Sequence, residues 1–134
     1  YFHNSHRGEA RGLGGLFFDY LKGKKKYSIE DRYDFTTEVG NAFLEAYIPI
    51  LEKRKSMSYN PAQRTWQEIR RGRYVEFNLV HDKGTLFGLK TNGRIESILM
   101  SLPPTVQWSY DHQPDPDSDE SKLLEVLKNP KSWV

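Results

Sequence analysis

The chain has 134 residues, of which 37% are hydrophobic and 28% are charged, and its formal net charge is +2. No apolar run approaches the roughly 20 residues that span a bilayer. There is no cysteine for a disulfide, a thiolate metal site or a cysteine nucleophile. The sequence therefore predicts one domain over residues 1–134, with a modest core, no membrane span and no disulfide framework.

The charge is unevenly placed along the chain. Residues 52–73 hold seven basic residues and two acidic ones, whereas residues 111–134 hold six acidic residues and three lysines. A basic body with an acidic end predicts an anionic partner without identifying it.

The first elements in chain order are a loop, a strand and a helix. Residues 7–15 form a glycine-rich loop, and the apolar run 16–21 predicts a buried strand before a lysine-rich loop at 22–26. Ser28, followed by Asp31, predicts a capping box that starts a long helix. Apolar residues at a spacing of three and four predict core or dimer contacts for one face of this helix, and Pro49 is expected to kink or shorten its end.

The middle of the chain combines a helix with the clearest β pattern. Asn60 and Pro61 predict the start of a second helix, which we expect to end near Arg71-Gly72. Residues 74–80 alternate between apolar and polar side chains and predict a strand. Residues 81–84 then form a turn, and residues 85–90 form the returning strand.

The last third predicts mainly helices. Asn92-Gly93 predicts a tight turn, 94–102 a short helix, 111–118 a loop, and the segment after Ser118 a final helix. Because the predicted strands adjoin through turns, the fold class is α+β with an antiparallel sheet.

Several sequence blocks then carry a family resemblance. The run HRGEARGLGGLFFD at residues 6–19 resembles a signature of aerobic, oxygen-dependent coproporphyrinogen III oxidases. The blocks RRGRYVEFNL at 70–79, DKGTLFGL at 82–89 and RIESILMSLP at 94–103, and the closing Trp133-Val134, are similar to the same family. The order of the blocks resembles the C-terminal portion of that family, so the resemblance implies that the long N-terminal part is absent here.

The resemblance implies a fold and an activity. The fold would be part of a large antiparallel sheet flanked by helices, in a homodimer. The enzyme would oxidatively decarboxylate two propionates of coproporphyrinogen III to vinyls, with O2 as the electron acceptor, no organic cofactor and a disputed divalent metal. The resemblance implies a cytoplasmic or mitochondrial location and no nucleic-acid partner.

It also implies roles for individual residues. Arg11 would bind a substrate carboxylate through its bidentate fork, and the turn Asn92-Gly93-Arg94 would bind another anionic group. His6 matches a histidine proposed as a metal ligand. Asp82 matches a proposed catalytic residue, although Lys83 stands where the family usually has arginine; the main proton donor would lie upstream of this chain.

Two alternatives stay open from the residues alone. The basic segment 52–73 and the frequent aromatic residues are compatible with a nucleic-acid-binding module. A tetrapyrrole-binding protein without catalysis is the other alternative. Glu76 and Asn78, on one face of the predicted strand, would line a cleft or pair with their neighbours.

Overall fold

The computed structural model describes residues 2–18, 21 and 27–131. The chain forms two compact units, one comprising residues 1–15 and 60–134 and the other residues 16–59. A cluster of contacts need not be an independently folding domain, so the expected single domain stays a prediction. In the described part of the chain, no helix has the length and apolarity required to cross a membrane.

The unit of residues 16–59 is dominated by helix α1, Ile29–Arg54. Ser28 Oγ accepts the Asp31 N–H at 3.1 Å and the Asp31 carboxylate accepts the Ser28 N–H at 2.7 Å, which confirms the predicted capping box. Pro49 lies inside the helix, which continues to Arg54, so it does not shorten the end; the alternative expectation of a kink stays a prediction. No residue of α1 is buried, and Phe43 is 59% exposed. The core or dimer role of its apolar face therefore stays a prediction.

The described residues of the other unit form a hairpin and four helices. Strands β1 (His3–Asn4) and β2 (Glu9–Ala10) pair antiparallel, with His3 opposite Ala10 and Asn4 opposite Glu9. The hairpin packs on helix α2 (Pro61–Val80) through β1 and on helix α5 (Asp119–Lys128) through β2. The buried apolar residues of this unit are Ile69, Val75, Phe77 and Leu127.

Helix α2 spans Pro61–Val80 and corrects the clearest strand prediction. Asn60 caps it as predicted, with a capping box to Gln63. The strand at 74–80 and the helix end near Arg71-Gly72 were both wrong. The period-two pattern of residues 74–80 is also compatible with a helix, because Arg73, Phe77 and the residues beside them form one helical face under the hairpin.

Gly72 does not end α2. Its missing side chain lets Gln107 and Trp108 lie close to the helix. A Cβ at Gly72 would lie 2.9 Å from the Gln107 carbonyl oxygen and 3.3 Å from the Trp108 Nε1. The Gln107 N–H donates to the Glu68 carbonyl at 3.1 Å, which holds the segment against the helix. The glycine is thus required by packing.

Gly72→Ala is therefore expected to destabilise the protein by about 1–3 kcal/mol, because the methyl group would overpack against backbone. Gly40→Ala is the matched control: Gly40 also lies in a helix, but a Cβ there would meet nothing within 4 Å. That change should stabilise α1 by about 0.5–1 kcal/mol. Urea unfolding followed by circular dichroism measures both, and equal effects of the two substitutions would contradict the close approach at Gly72.

The remaining elements are helices, and the first of them lies where the returning strand was predicted. Helix α3 spans Lys83–Lys90, so the returning strand at 85–90 was wrong. Helix α4 is Ile95–Leu99, shorter than the predicted 94–102, and α5 is Asp119–Lys128, as expected after Ser118.

The β content is small. Residues 16–18 and 21 form no strand, and the rest of the run predicted as a strand, together with the loop at 22–26, lies outside the described residues. Helices and one two-stranded antiparallel sheet are what the described residues contain, without the large sheet expected from the resemblance.

Candidate functional site

The β1–β2 hairpin is held on the C-terminal half of α2 by a buried hydrogen bond. Asn4 is fully buried, and its Nδ2 donates to the Arg73 carbonyl at 2.9 Å. Gly8 turns the loop between the strands with φ of +66°, a conformation that favours glycine. The Arg11 N–H donates to the Phe2 carbonyl at 2.9 Å and closes the hairpin. Side chains of the hairpin are thereby fixed against the helix.

Glu76 on α2 is the centre of an ion network. Its carboxylate accepts two hydrogen bonds from Arg7, at 2.9 and 2.8 Å, and one from Arg73 Nη1 at 3.0 Å. Trp108 Nε1 donates to it at 2.9 Å, and His6 Nε2 lies 2.8 Å from it. We call Glu76 and these four partners the Glu76 network. It links the hairpin, α2 and the segment before α5.

The network sets the charge state of Glu76. Burial by itself would raise the pKa of this carboxyl group, but the hydrogen bonds from Arg7 and His6, the charge of Arg73 and the Trp108 N–H outweigh burial and lower the pKa to about 2. The hydrogen bond to Glu76 raises the pKa of Arg7, and burial followed by the charge of Arg7 lowers the pKa of Arg73. Glu76 is therefore ionised at neutral pH, and its role is to bind cations.

A second carboxylate pairs with two arginines of the basic segment. Glu9 is 4% exposed and accepts from Arg70 at 2.8 Å, with Arg73 Nε at 3.4 Å. Arg64 pairs with Glu68 one helical turn along, at 2.7 Å. Three cations of the segment at 52–73 are thus engaged within the protein, which weakens the argument for a nucleic-acid-binding face.

His6 uses both ring nitrogens. Because the ionised Glu76 carboxylate can only accept, His6 Nε2 must carry a proton and donate to it. His6 Nδ1 lies 3.0 Å from His81 Nε2, and the two rings stack at 5.2 Å between centroids. A metal ion could bind His6 only if one of these contacts were broken. In the described part of the chain, no group of three or more metal-binding side chains converges.

Arg11 lies over aromatic rings. Its Cζ is 4.1 Å from the ring centroid of Phe2, 4.6 Å from that of Tyr74 and 4.7 Å from that of Phe77. Its Nη1 donates to Asn78 Oδ1 at 3.4 Å. Such rings attract a cation without neutralising it. We call Phe2, Tyr74, Phe77 and Asn78 the Arg11 seat.

The partners of Arg11 differ from those of the other arginines around the hairpin. Arg7, Arg70 and Arg73 each bind Glu9 or Glu76. The partners described for Arg11 are three rings and a neutral amide, and none of them is a carboxylate. Among the described residues around the hairpin, Arg11 is therefore the arginine best placed to accept an external carboxylate.

Asp82 has a structural role at the start of α3. Its Oδ2 accepts the backbone N–H of Thr85 at 2.8 Å and the Thr85 hydroxyl at 2.9 Å. This is an N-cap, which favours aspartate irrespective of any reaction. A catalytic role for Asp82 stays a prediction.

The turn Asn92-Gly93-Arg94 ends α3 and begins α4. Asn92 has φ of +55°, and the Gly93 N–H donates to the Gly88 carbonyl at 2.8 Å, the bond that terminates a helix of this kind. The Gly93 N–H, which was expected to help bind an anion, is therefore already hydrogen-bonded within the protein. Arg94 precedes α4 without a side-chain cap. The substrate-binding role of this turn stays a prediction.

The structure brings only some of the predicted residues together. His6 and Arg11 lie on the same hairpin and contact the same face of α2, whereas no described contact joins Asp82 or the Asn92–Arg94 turn to Arg11. Sequence reasoning missed Arg7, His81 and Trp108 as partners in this region. If residues 74–80 had been predicted as a helix, residues 73, 77 and 81 would have fallen on one face. That spacing is the sequence signal that could have placed His81 in this region.

Comparisons with known proteins decide the family. A family model described as Coproporphyrinogen III oxidase matches residues 1–133. The chain belongs to the coproporphyrinogen III oxidase family. This confirms the family indicated by the sequence blocks.

Curated members of the coproporphyrinogen III oxidase family are similar throughout this chain. The oxygen-dependent coproporphyrinogen-III oxidase, chloroplastic, of Glycine max is 58% identical over all 134 residues, which cover 34% of that protein. The proteins of the same name from Hordeum vulgare and Nicotiana tabacum are 55% and 54% identical, with 34% and 33% of their lengths covered. The chain thus spans about a third of the length of the curated relatives it matches.

These matches leave two finer expectations unconfirmed. The matches give the share of each relative's length that is covered. They do not confirm that this chain corresponds to the C-terminal portion of the family. The relatives are named as chloroplastic proteins, which does not support the expected cytoplasmic location.

Proposed function

We propose that this chain supplies substrate-carboxylate contacts to an oxygen-dependent coproporphyrinogen III oxidase. The observation that carries the proposal is the Arg11 guanidinium, fixed on a ring-lined seat without a carboxylate partner among those described. Coproporphyrinogen III carries four propionates, and an arginine fork binds such a group with two parallel hydrogen bonds. The relatives' shared name provides the substrate.

The reaction requires binding and orientation more than an acid or base from this region. Each of the two propionates that react loses CO2 and one hydrogen from the carbon bonded to the pyrrole ring, and becomes a vinyl group. O2 accepts two electrons and two protons and leaves as H2O2. Deprotonation of a pyrrole N–H would make the ring reactive toward O2. Arg11 would hold one propionate in a fixed direction, which lowers the entropic part of the barrier.

Glu76 is unsuited to the role of general base in this scheme. Its pKa of about 2 makes the carboxylate a weak proton acceptor at neutral pH, and it already accepts from Arg7, Arg73 and Trp108. The Glu76 network instead keeps the hairpin, and hence Arg11, at a fixed position on α2. Asp82 as a catalytic residue and Arg94 as a second carboxylate contact are further parts of the proposal.

The remaining family features are proposals of the same kind. We propose no organic cofactor and O2 as the acceptor, in a homodimer. The requirement for a divalent metal is open to direct measurement, and His6 would have to release Glu76 or His81 to take part in metal binding.

The test measures binding and turnover separately. Fluorescence titration of this chain with coproporphyrin III, the stable oxidised form of the substrate, should show saturable binding that weakens as salt is added. Anaerobically prepared coproporphyrinogen III is then exposed to air with this chain and, as a positive control, with the Glycine max relative, and products are separated by chromatography.

No binding of coproporphyrin III, together with salt-sensitive binding of generic DNA or RNA, would contradict the proposal and favour a nucleic-acid-binding module. If the chain alone binds coproporphyrin III but forms no product, the result would support the proposal that it supplies substrate contacts without being a complete enzyme by itself.

A further inference from the structure

Asn78 is a nearly buried amide whose orientation is fixed by the helix around it. It is 9% exposed, and its Nδ2 donates to the Tyr74 carbonyl at 2.9 Å. A carbonyl oxygen can only accept, so the NH2 group must point toward Tyr74 and Oδ1 must point the other way. The amide oxygen is thereby directed at Arg11 Nη1, 3.4 Å away.

The Arg11 seat restrains the guanidinium in two ways, through three aromatic rings and through one amide. Phe2, Tyr74 and Phe77 attract the positive charge at their faces, but a ring face does not select which N–H group points in which direction. Asn78 Oδ1 is a directional acceptor and engages one nitrogen. The other N–H donors of the fork then have a defined direction in which to meet a ligand.

The contrast with Glu9 and Glu76 shows why a neutral acceptor suits this position. Arg7, Arg70 and Arg73 are bound by the carboxylates of Glu9 and Glu76, which offset two of the three positive charges and occupy several of the donors. An amide holds a guanidinium with a weaker bond and leaves its charge uncompensated. We propose that Asn78 is a positioning residue, which orients Arg11 for a propionate of the substrate while keeping its positive charge available. This inference rests on the proposed function of Arg11.

The test uses variants that separate orientation from charge. Asn78→Asp adds a carboxylate next to Arg11, and Asn78→Leu keeps a similar volume but removes both hydrogen bonds. Each is combined with Arg11→Gln, and the dissociation constant for coproporphyrin III is measured by fluorescence at constant salt. Protoporphyrin IX, with two propionates in place of four, is titrated alongside as a ligand of lower charge. Thermal unfolding by circular dichroism identifies the variants that fold.

The expected result is a strong coupling between the two positions. Asn78→Asp should weaken binding roughly tenfold, close to the effect of Arg11→Gln, because an internal carboxylate would occupy the fork. Asn78→Leu should weaken binding a few-fold, since the charge stays but its direction is lost. In the Arg11→Gln background Asn78→Leu should not weaken binding further, and Asn78→Asp should do so by less than about threefold through the long-range field of its charge, a non-additivity that a purely structural residue would not produce.

Two outcomes separate this inference from the proposed function. If Arg11→Gln weakens binding while the folded Asn78 variants bind as the unchanged protein does, or if the two effects simply add, Asn78 does not position Arg11 and the proposed function still stands. If the unchanged protein does not bind coproporphyrin III, the proposed function and this inference both fail. Should Asn78→Asp not fold, Asn78→Leu alone provides the coupling test.

Discussion

Arg11→Gln should weaken binding of coproporphyrin III by about 10- to 100-fold, the largest effect on ligand binding that we expect from a single substitution. The estimate corresponds to the loss of a charged, bidentate hydrogen bond, about 1.5–3 kcal/mol. Glutamine retains part of the stem and a polar end, so packing against Phe2 and Tyr74 is partly kept. Fluorescence titration at constant ionic strength measures the dissociation constant.

Arg64→Gln is the matched control for Arg11→Gln. It removes one positive charge from the same compact unit, but Arg64 is an exposed residue already paired with Glu68. Its expected effect on the dissociation constant is less than about threefold, from the change in long-range field alone. Arg11→Lys should give an intermediate loss, because lysine keeps the charge without the fork. Equal effects of the glutamine variants at positions 11 and 64 would show that Arg11 contributes only net charge.

Glu76→Gln should produce the largest loss of stability. The substitution removes the carboxylate that binds Arg7 and Arg73, and leaves Arg73, whose side chain is 8% exposed, with Glu9 at 3.4 Å as its carboxylate partner. Breaking such a pair from one side costs on the order of 3 kcal/mol. Urea unfolding at pH 7, followed by tryptophan fluorescence, measures the change, because Trp108 donates to this carboxylate.

Glu68→Gln is the control for Glu76→Gln. It removes the same charge from the same helix, but its partner Arg64 is 44% exposed at the side chain, so the expected loss is within about 0.5 kcal/mol. Similar losses for the two variants would show that the Glu76 network adds nothing beyond an ordinary surface ion pair.

The stability that Glu76 contributes should also depend on pH. Its pKa is about 2 in the folded protein and 4.5 without the fold, so the unfolded chain takes up a proton before the folded one does. The contribution is fully present above about pH 4.5 and is lost as the pH falls from there toward 2. The stability difference between the unchanged protein and Glu76→Gln should therefore shrink over this range, and a constant difference would contradict the low pKa.

The helix starts were predictable because their signals are local. Ser28 with Asp31, and Asn60 with Gln63, bond as their spacing indicates. The strand predicted at 74–80 failed because alternation over seven residues does not exclude a helix whose face is covered by a segment distant in sequence. The hairpin residue Asn4, bonded to Arg73, and Phe2, packed against Phe77, provide that cover. Neither contact has a signature near residue 74.

The candidate site was predictable only in part. Arg11 and His6 were selected through the family's sequence blocks, and Arg11 proved to be held without a described carboxylate partner. The charge of residues 52–73 suggested a cationic face for an anionic partner, but the hairpin brings Glu9 to Arg70 and Arg73. A formal charge count cannot anticipate such pairing, because the partners are about sixty residues apart in the chain.

The sequence by itself determined the family, the helix caps and the presence of an arginine suited to carboxylates. These depend on short blocks of residues and on bonds within one helical turn. Only the tertiary structure decided that residues 74–80 are helical, that Glu76 is a partly buried anion and that Asn78 faces Arg11. The physical reason is that each of these outcomes depends on which distant segment covers one face of α2, and that coverage is set by packing between segments far apart in the chain.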